Sequence, residues 1–345
     1  MRILYFFERI IYPLLNLNIL GFIRFYKKNS DVIVVSSLLT NRKFSSELIA
    51  WEFGFINGLI KNNISFSYRK LDGSVYNKKI LWSPIKDFDK FNFINYPATL
   101  SFIASQLESQ GNKVFVSSNE VSYLENKYHM HEMFEKYSIR TPKTWIFKSF
   151  YEINFELLEF PLLYKGVHSS GSLDIIKFDN LSSLKLFINN LMIIGLDKPI
   201  VLQKLLNIRR DMRVTVLGNE ILYSFWRINP NKEWMTTATK NGSYIEFIDF
   251  PFKWKSFIID SVKKLNLDIA GLDIAFDDDN LDSEPFIIEI SPRFSQNPPY
   301  DNKNLKYKDY KRKVFLKNSF RNNQTKVHIN LGMQYINHLL RSNKI

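Results

Sequence analysis

From Asp31 onward the chain alternates between unbroken apolar runs and apolar positions set at helical spacing. The stretch Asp31-Val-Ile-Val-Val-Ser36 is β-branched throughout its middle, as expected of a strand buried on both faces. Phe44, Leu48, Ile49, Phe53, Ile56, Leu59 and Ile60 recur every three to four residues and predict a helix over 44–62. Strands are predicted at Ile64–Tyr68, Phe91–Tyr96 and Lys113–Ser117, with a helix at Thr99–Glu108 that stops near Gly111. This alternation predicts a small parallel-sheet α/β domain over 31–118.

Asn119 is placed to cap a helix running to Tyr137, and Thr141-Pro142 then forces an extended piece to Phe147. Further strands are predicted at Pro161–Val167, Leu173–Phe178 and Pro199–Leu206, with a helix at Leu181–Ile194. Two hairpins follow. One turns at Gly218-Asn219, and the other joins Ile269–Phe276 to Pro285–Ser291 across an acidic loop. The layout is α+β with a doubly wound start.

Composition narrows the chemistry. The 345 residues contain no cysteine, which excludes a disulfide framework, thiolate metal sites and a cysteine nucleophile. Net charge is +13, concentrated in residues 301–345, where 11 Lys/Arg face two Asp. That tail reads either as a solvated surface or as a site for phosphates or anionic lipid. Residues 10–23 carry no charge, but Pro13 and two Asn interrupt them, and no run is long enough to span a bilayer. Residues 1–28 therefore read as an amphipathic segment on a membrane surface, or as a helical arm packed on the body or on a second subunit of a homo-oligomer.

The second hairpin carries the most informative chemistry. Strand alternation sets Leu272, Ile274 and Phe276 on one face, and Asp273 on the other with Gly271 and Ala275. On the return strand Ile288 and Ile290 share the apolar face, and Glu289 and Ser291 the opposite one. Asp273 is then expected opposite Glu289. Two carboxylates that close repel unless a cation lies between them, and Mg²⁺ takes one or two carboxylates plus phosphate oxygens. Lys165 ends an apolar strand and precedes Ser169-Ser170-Gly171-Ser172, a loop able to wrap phosphates with backbone N–H groups. Asp211 and Arg213 share a face of the first hairpin, with Arg227 on its return strand; the plainer alternative for these charges is a surface salt bridge worth at most ~1 kcal/mol. No Walker or dinucleotide-binding fingerprint occurs.

Taken in order, several short pieces resemble the ATP-grasp superfamily, most of all its branch of ribosomal-protein glutamate ligase and peptide-modifying ligases. They are Asn126-Lys127 leading to Thr141-Pro142, Pro161–Lys165 with its Ser/Gly loop, Val201–Leu206, Asp211-Met-Arg213, Ala270–Asp273 and Glu289–Pro292. The resemblance implies an ATP-grasp fold with a central subdomain at 119–200 and a C-terminal one at 201–300. An N-terminal arm (1–30) and the α/β domain precede it, and a basic tail with a terminal helix (301–345) follows. It implies that Lys127 and Lys165 grip ATP phosphates under the loop Ser169–Ser172. Gln203, Lys204, Leu205 and Leu206 would face adenine, and Asp211 the ribose. Asp273, Glu289 and Ser291 would hold one or two Mg²⁺, with Ser291 standing where the family usually has Asn. Arg213 would stabilise the transferring phosphoryl group, and Arg293 would grip a substrate carboxylate or phosphate. The implied activity is ATP-dependent joining of a carboxylate to an amine through an acyl-phosphate, on a small-molecule, peptide or glycan substrate, in the cytoplasm or at a membrane surface. Nucleic acid is not an expected partner. A phosphotransferase that does not ligate and a non-catalytic nucleotide- or anion-binding protein are the alternatives.

Overall fold

The computed structural model describes residues 10–36, 46–70, 75–83, 96–124, 126–168, 174–195, 197–231, 233–238, 241–247, 250–292, 294 and 314–345. They fall into two compact units, one holding the residues up to Ser122 with Phe294 and the C-terminal helix, the other Tyr123–Pro292.

The first unit opens with residues 10–15 in helical form and helix α1 (Ile19–Phe25). Strand β1 (Val32–Val35) is buried at every position, as its β-branched run requires. Helix α2 (Ser46–Lys61), β2 (Ser67–Arg69), β3 (Lys79–Leu81), α3 (Tyr96–Ser109), β4 (Lys113–Phe115) and α4 (Ser118–Ser122) follow. The strands form a parallel sheet in the order β2-β1-β3-β4. The short β3, Lys-Ile-Leu, shows no period in sequence that would mark it as a strand. The strand expected at Phe91–Tyr96 lies outside the described residues as far as 95, and Tyr96 opens α3.

The helix expected from Asn119 to Tyr137 is two helices, α4 at the end of the first unit and a second one in the second unit. The Asn126 side chain accepts the His129 N–H and starts α5 (Lys127–Lys136) afresh. Strands β5 (Thr144–Phe147), β6 (Leu162–Lys165) and β7 (Ile175–Phe178), helix α6 (Leu181–Ile193) and β8 (Ile200–Lys204) build a four-stranded antiparallel sheet, β5-β8-β6-β7. Its core includes Leu162, Tyr164, Leu184, Ile188 and Leu202.

Strands β9 (Arg210–Leu217), β10 (Glu220–Ile228) and β11 (Tyr244–Glu246), helix α7 (Lys255–Lys264), and strands β12 (Ile269–Ala275) and β13 (Phe286–Ser291) complete the unit. They give a five-stranded antiparallel sheet in the order β11-β10-β9-β12-β13. Gly218, at φ +56°, makes the turn between β9 and β10 that a side chain would strain. One face of this sheet packs Met212, Val214, Leu272, Ile274, Ile287 and Ile290 into a core with Ile258 and Val262 of α7 and Met130 and Phe134 of α5. The opposite face carries Asp211, Arg213, Arg227, Asp273 and Glu289, with Phe225 among them.

Here the register departs from simple alternation. A bulge between Asp273 and Ile274 pairs Ile274 with Ile287, so Ile287, not Ile288, enters the core beside Ile290. The last helix, α8 (Val314–Arg341), buries Leu331, Tyr335, Ile336 and Leu339 in the first unit and runs against α2. This is the place of the terminal helix expected within 301–345, and it takes up most of that segment; Lys306, Lys308 and Lys311–Lys313 lie outside the described residues.

Candidate active site

The polar face of the five-stranded sheet gathers charge in register. Arg213 on β9 pairs with Asp273 on β12, and Asp273 with Glu289 on β13. Arg227 on β10 faces Asp211 on β9. Strand alternation delivers each side chain to this face while its neighbours Met212, Leu272 and Ile290 go to the core.

The guanidiniums are engaged on the carboxylates. Arg213 Nε donates to Asp273 Oδ1 at 2.5 Å, and its Nη2 to Oδ2 at 3.2 Å. Arg227 donates through Nε and Nη2 to the two Asp211 oxygens at 2.8 and 2.5 Å, and its Nη2 also reaches Asp273 Oδ2 at 2.8 Å. Arg227 is therefore a largely shielded bridge between two aspartates, so the plainer alternative of a surface salt bridge does not describe it. The period of two identifies the face a residue occupies but not how deeply that face is buried.

The two aspartates compete for Arg227. Burial alone would raise the Asp273 carboxyl, but Arg213 and Arg227 together hold it well below the usual carboxylate range. Asp211, with Arg227 against it, is pushed up by burial. Loss of hydration works against the Arg227 charge too, yet the two carboxylates raise its affinity for its proton.

Two lysines face this row. Lys127 opens α5, its backbone N–H donating to Val167 O at 3.0 Å, and its Nζ lies 4.0 Å from Glu289 Oε1. Lys165 ends β6 and is 4% exposed. Its pKa is drawn down to about 8, first by burial and then by Lys127, against the pull of Glu289, Asp273 and Asp211. One turn after Lys127, His131 is buried with both ring nitrogens lacking a hydrogen-bond partner. Burial, and then Lys165 and Lys127, keep it neutral. Four cations thus meet three carboxylates, a balance suited to a polyphosphate anion.

The donor set fits Mg²⁺. A carboxylate offers about four acceptor positions, and the contacts to Asp273 place one N–H on Oδ1 and two on Oδ2, so Oδ1 keeps a lone pair. Glu289, one rung away, has a side chain 36% exposed. Among the described residues no group of three or more His, Cys, Asp or Glu could hold a metal, so the rest of an octahedral shell would come from phosphate and water. Ser291 lies two residues beyond Glu289 and pairs with Gly271.

The remaining expected residues are placed differently. The Gln203 amide donates to Thr144 Oγ1 at 2.9 Å. The backbone N–H groups of Lys204 and Leu205 donate to Lys143 O and Pro161 O. The Lys204 ammonium lies 2.7 Å from Glu159, whose carboxyl Lys143 and Lys204 draw down to about 2. Leu206 lies just beyond β8 and is partly buried. Ser169, Ser170, Gly171, Ser172 and Arg293 lie outside the described residues. In the acidic loop Asp277 and Asp278 accept from Asn207, and Asp279 from the Arg209 N–H, so these carboxylates brace the approach to β9.

Residues 124–293 match the model of the RimK-like ATP-grasp domain. In fold the chain is similar to a RimK-domain ATP-grasp protein of Sphaerobacter thermophilus, with a TM-score of 0.53 and 11% identity over 88% of this chain and 98% of that one. It is similar also to D-alanine–D-alanine ligase of Bacillus anthracis complexed with ATP, with a TM-score of 0.55 and 14% identity over 92% and 99%. A third similar structure is the ATP-grasp ligase PsnB with a phosphomimetic variant of its minimal precursor, Mg and ADP; the TM-score is 0.52, with 13% identity over 92% and 100%. No curated protein matches the chain in sequence. At these identities the likeness is one of fold.

Proposed function

We propose, on the premise that the chain carries a RimK-like ATP-grasp domain over residues 124–293, that it is an ATP-dependent ligase joining a carboxylate to an amine. The observation that supports this most is the rung Arg213–Asp273–Glu289 with Lys127 and Lys165 facing it. In this reading Lys127 and Lys165 hold the ATP phosphates, with the loop Ser169–Ser172 over them. Asp273 and Glu289, helped by Ser291, hold one or two Mg²⁺. Bound there, Mg²⁺ supplies positive charge that offsets and orients the phosphate oxygens.

The substrate carboxylate oxygen attacks the γ-phosphorus, the bond to the β–γ bridging oxygen breaks, and ADP leaves. The amine then attacks the acyl carbon, inorganic phosphate departs and the amine gives up a proton. Little covalent chemistry falls to the protein, so position and charge dominate. Arg213, fixed by Asp273, keeps N–H groups for the charge on the transferring phosphoryl group. Arg227 sets the orientation of Asp273 and is fixed in turn by Asp211. Gln203–Leu206 border the adenine and Arg293 the substrate anion. The substrate pair is a small molecule, peptide or glycan with a free carboxylate and an amine acceptor, met in the cytoplasm or at a membrane surface.

The test is ADP release from Mg-ATP across panels of carboxylates and amines, with hydroxylamine as a trap. A hydroxamate formed with ADP supports the acyl-phosphate. ADP formed with a stable phosphoester and no hydroxamate would instead indicate a phosphotransferase.

A further inference from the structure

The N-terminal segment turns its apolar side outward. In α1, Ile19, Leu20 and Ile23 are 57, 82 and 72% exposed, and Leu15 just before it is 75% exposed. Ile11 and Leu14 are exposed as well. Folding usually hides such residues, yet here Asn16, Asn18, Gly21 and Phe22 make the inward contacts. Asn57 of α2 accepts the Asn18 N–H at 3.0 Å and donates to Asn16 O at 2.8 Å. Gly21 is buried so tightly that a Cβ would come within 2.5 Å of Ile60 Cγ2. Phe22 stacks on Tyr26 and meets Phe66 and Tyr68 edge-on. The segment is thus anchored through its inner side, and its outward apolar stripe is held in place.

Charge identifies the occupant. Arg24 lies on the same helical stripe as Leu20 and Ile23, and Lys27 and Lys28 follow; all three are exposed. No acidic residue occurs between Ile10 and Ser30. A second copy of the chain laid on this stripe would bring like charges together. A bilayer with anionic headgroups would receive the apolar side chains at its acyl boundary and the cations among its phosphates. No described helix is long and apolar enough to cross a membrane, so the contact is interfacial.

We infer that residues 11–28 form a docking surface for an anionic lipid bilayer. The inference does not depend on the ligase reading.

The test is co-sedimentation of the full chain with phosphatidylcholine vesicles, with and without phosphatidylglycerol. Binding is expected only with phosphatidylglycerol and should weaken at high salt. The double variants Leu20→Glu/Ile23→Glu and Lys27→Glu/Lys28→Glu should each lose about tenfold or more in partitioning. All four positions are exposed, so the melting temperature and nucleotide binding should stay unchanged. Absence of wild-type binding, or equal binding by both variants, would overturn the inference. So would a concentration-dependent dimer in sedimentation that Leu20→Glu/Ile23→Glu abolishes, because a second copy would then cover the stripe.

Discussion

Asp273 carries two duties that a substitution cannot separate. It is paired with Arg213 and Arg227 in a poorly hydrated row, and it is the proposed metal ligand. Asp273→Asn leaves two guanidiniums without their shared counter-charge, and removing one partner of a buried ion pair costs about 3–5 kcal/mol. We therefore expect this variant to lose activity and stability together, the latter seen as a lower midpoint in denaturant unfolding; an unchanged midpoint would mean that the row is hydrated.

Lys165 gives a second residue-scale prediction. Its pKa near 8 means that it sheds its proton as pH rises through that value, and only the charged form attracts phosphate. Nucleotide affinity should fall between about pH 7 and pH 10, by roughly 10- to 100-fold for one charge-assisted contact. In Lys165→Met the affinity should be low at every pH and nearly flat. A wild-type profile flat across that range would place Lys165 away from the phosphates. The fold contribution has the opposite sense: the folded pKa lies below that of the unfolded chain, so lysine charging opposes folding, and this penalty fades as pH rises above about 8.

At the scale of elements, β12–β13 was legible because a period of two over six or seven residues leaves few alternatives. Asp273 and Glu289 meet as that period requires. The bulge beside them was not legible, since Ile287 and Ile288 are chemically alike and only pairing decides which turns inward. The role of Arg227 escapes the sequence for a related reason: the pattern gives its face, whereas its withdrawal from water depends on strands distant in sequence. No sequence pattern marks His131, because its burial beside two lysines depends on the packing of α5.

The α2–α8 contact was likewise invisible in sequence, because its marks are single glycines. A Cβ on Gly332 would lie 2.8 Å from Trp51 O and 2.9 Å from Gly54 Cα. Backbone atoms cannot yield as a side-chain tip would. Alanine favours a helix over glycine by about 1 kcal/mol, but overpacking typically costs about 1–3 kcal/mol. Gly332→Ala should therefore lower the melting temperature; a rise would show that the helices can part without loss.

At the scale of the molecule, charge is organised more than its total suggests. The body outside residues 301–345 is close to balanced, and the second unit uses its charged residues in pairs across strands. The order of motifs along the chain carried the fold. Short strands and glycine contacts escaped because each depends on one or two residues. The central claim is that Glu289 and Asp273 hold a divalent ion against a nucleotide gripped by the two lysines. Glu289→Gln tests it most directly, because that side chain is partly exposed and its removal disturbs the arginine row least. The measurement is ATP affinity with and without Mg²⁺ in wild type and variant, at matched melting temperature. The account predicts that Mg²⁺ tightens binding in the wild type and that Glu289→Gln loses most of this gain. Equal Mg²⁺ dependence in the two proteins would contradict it.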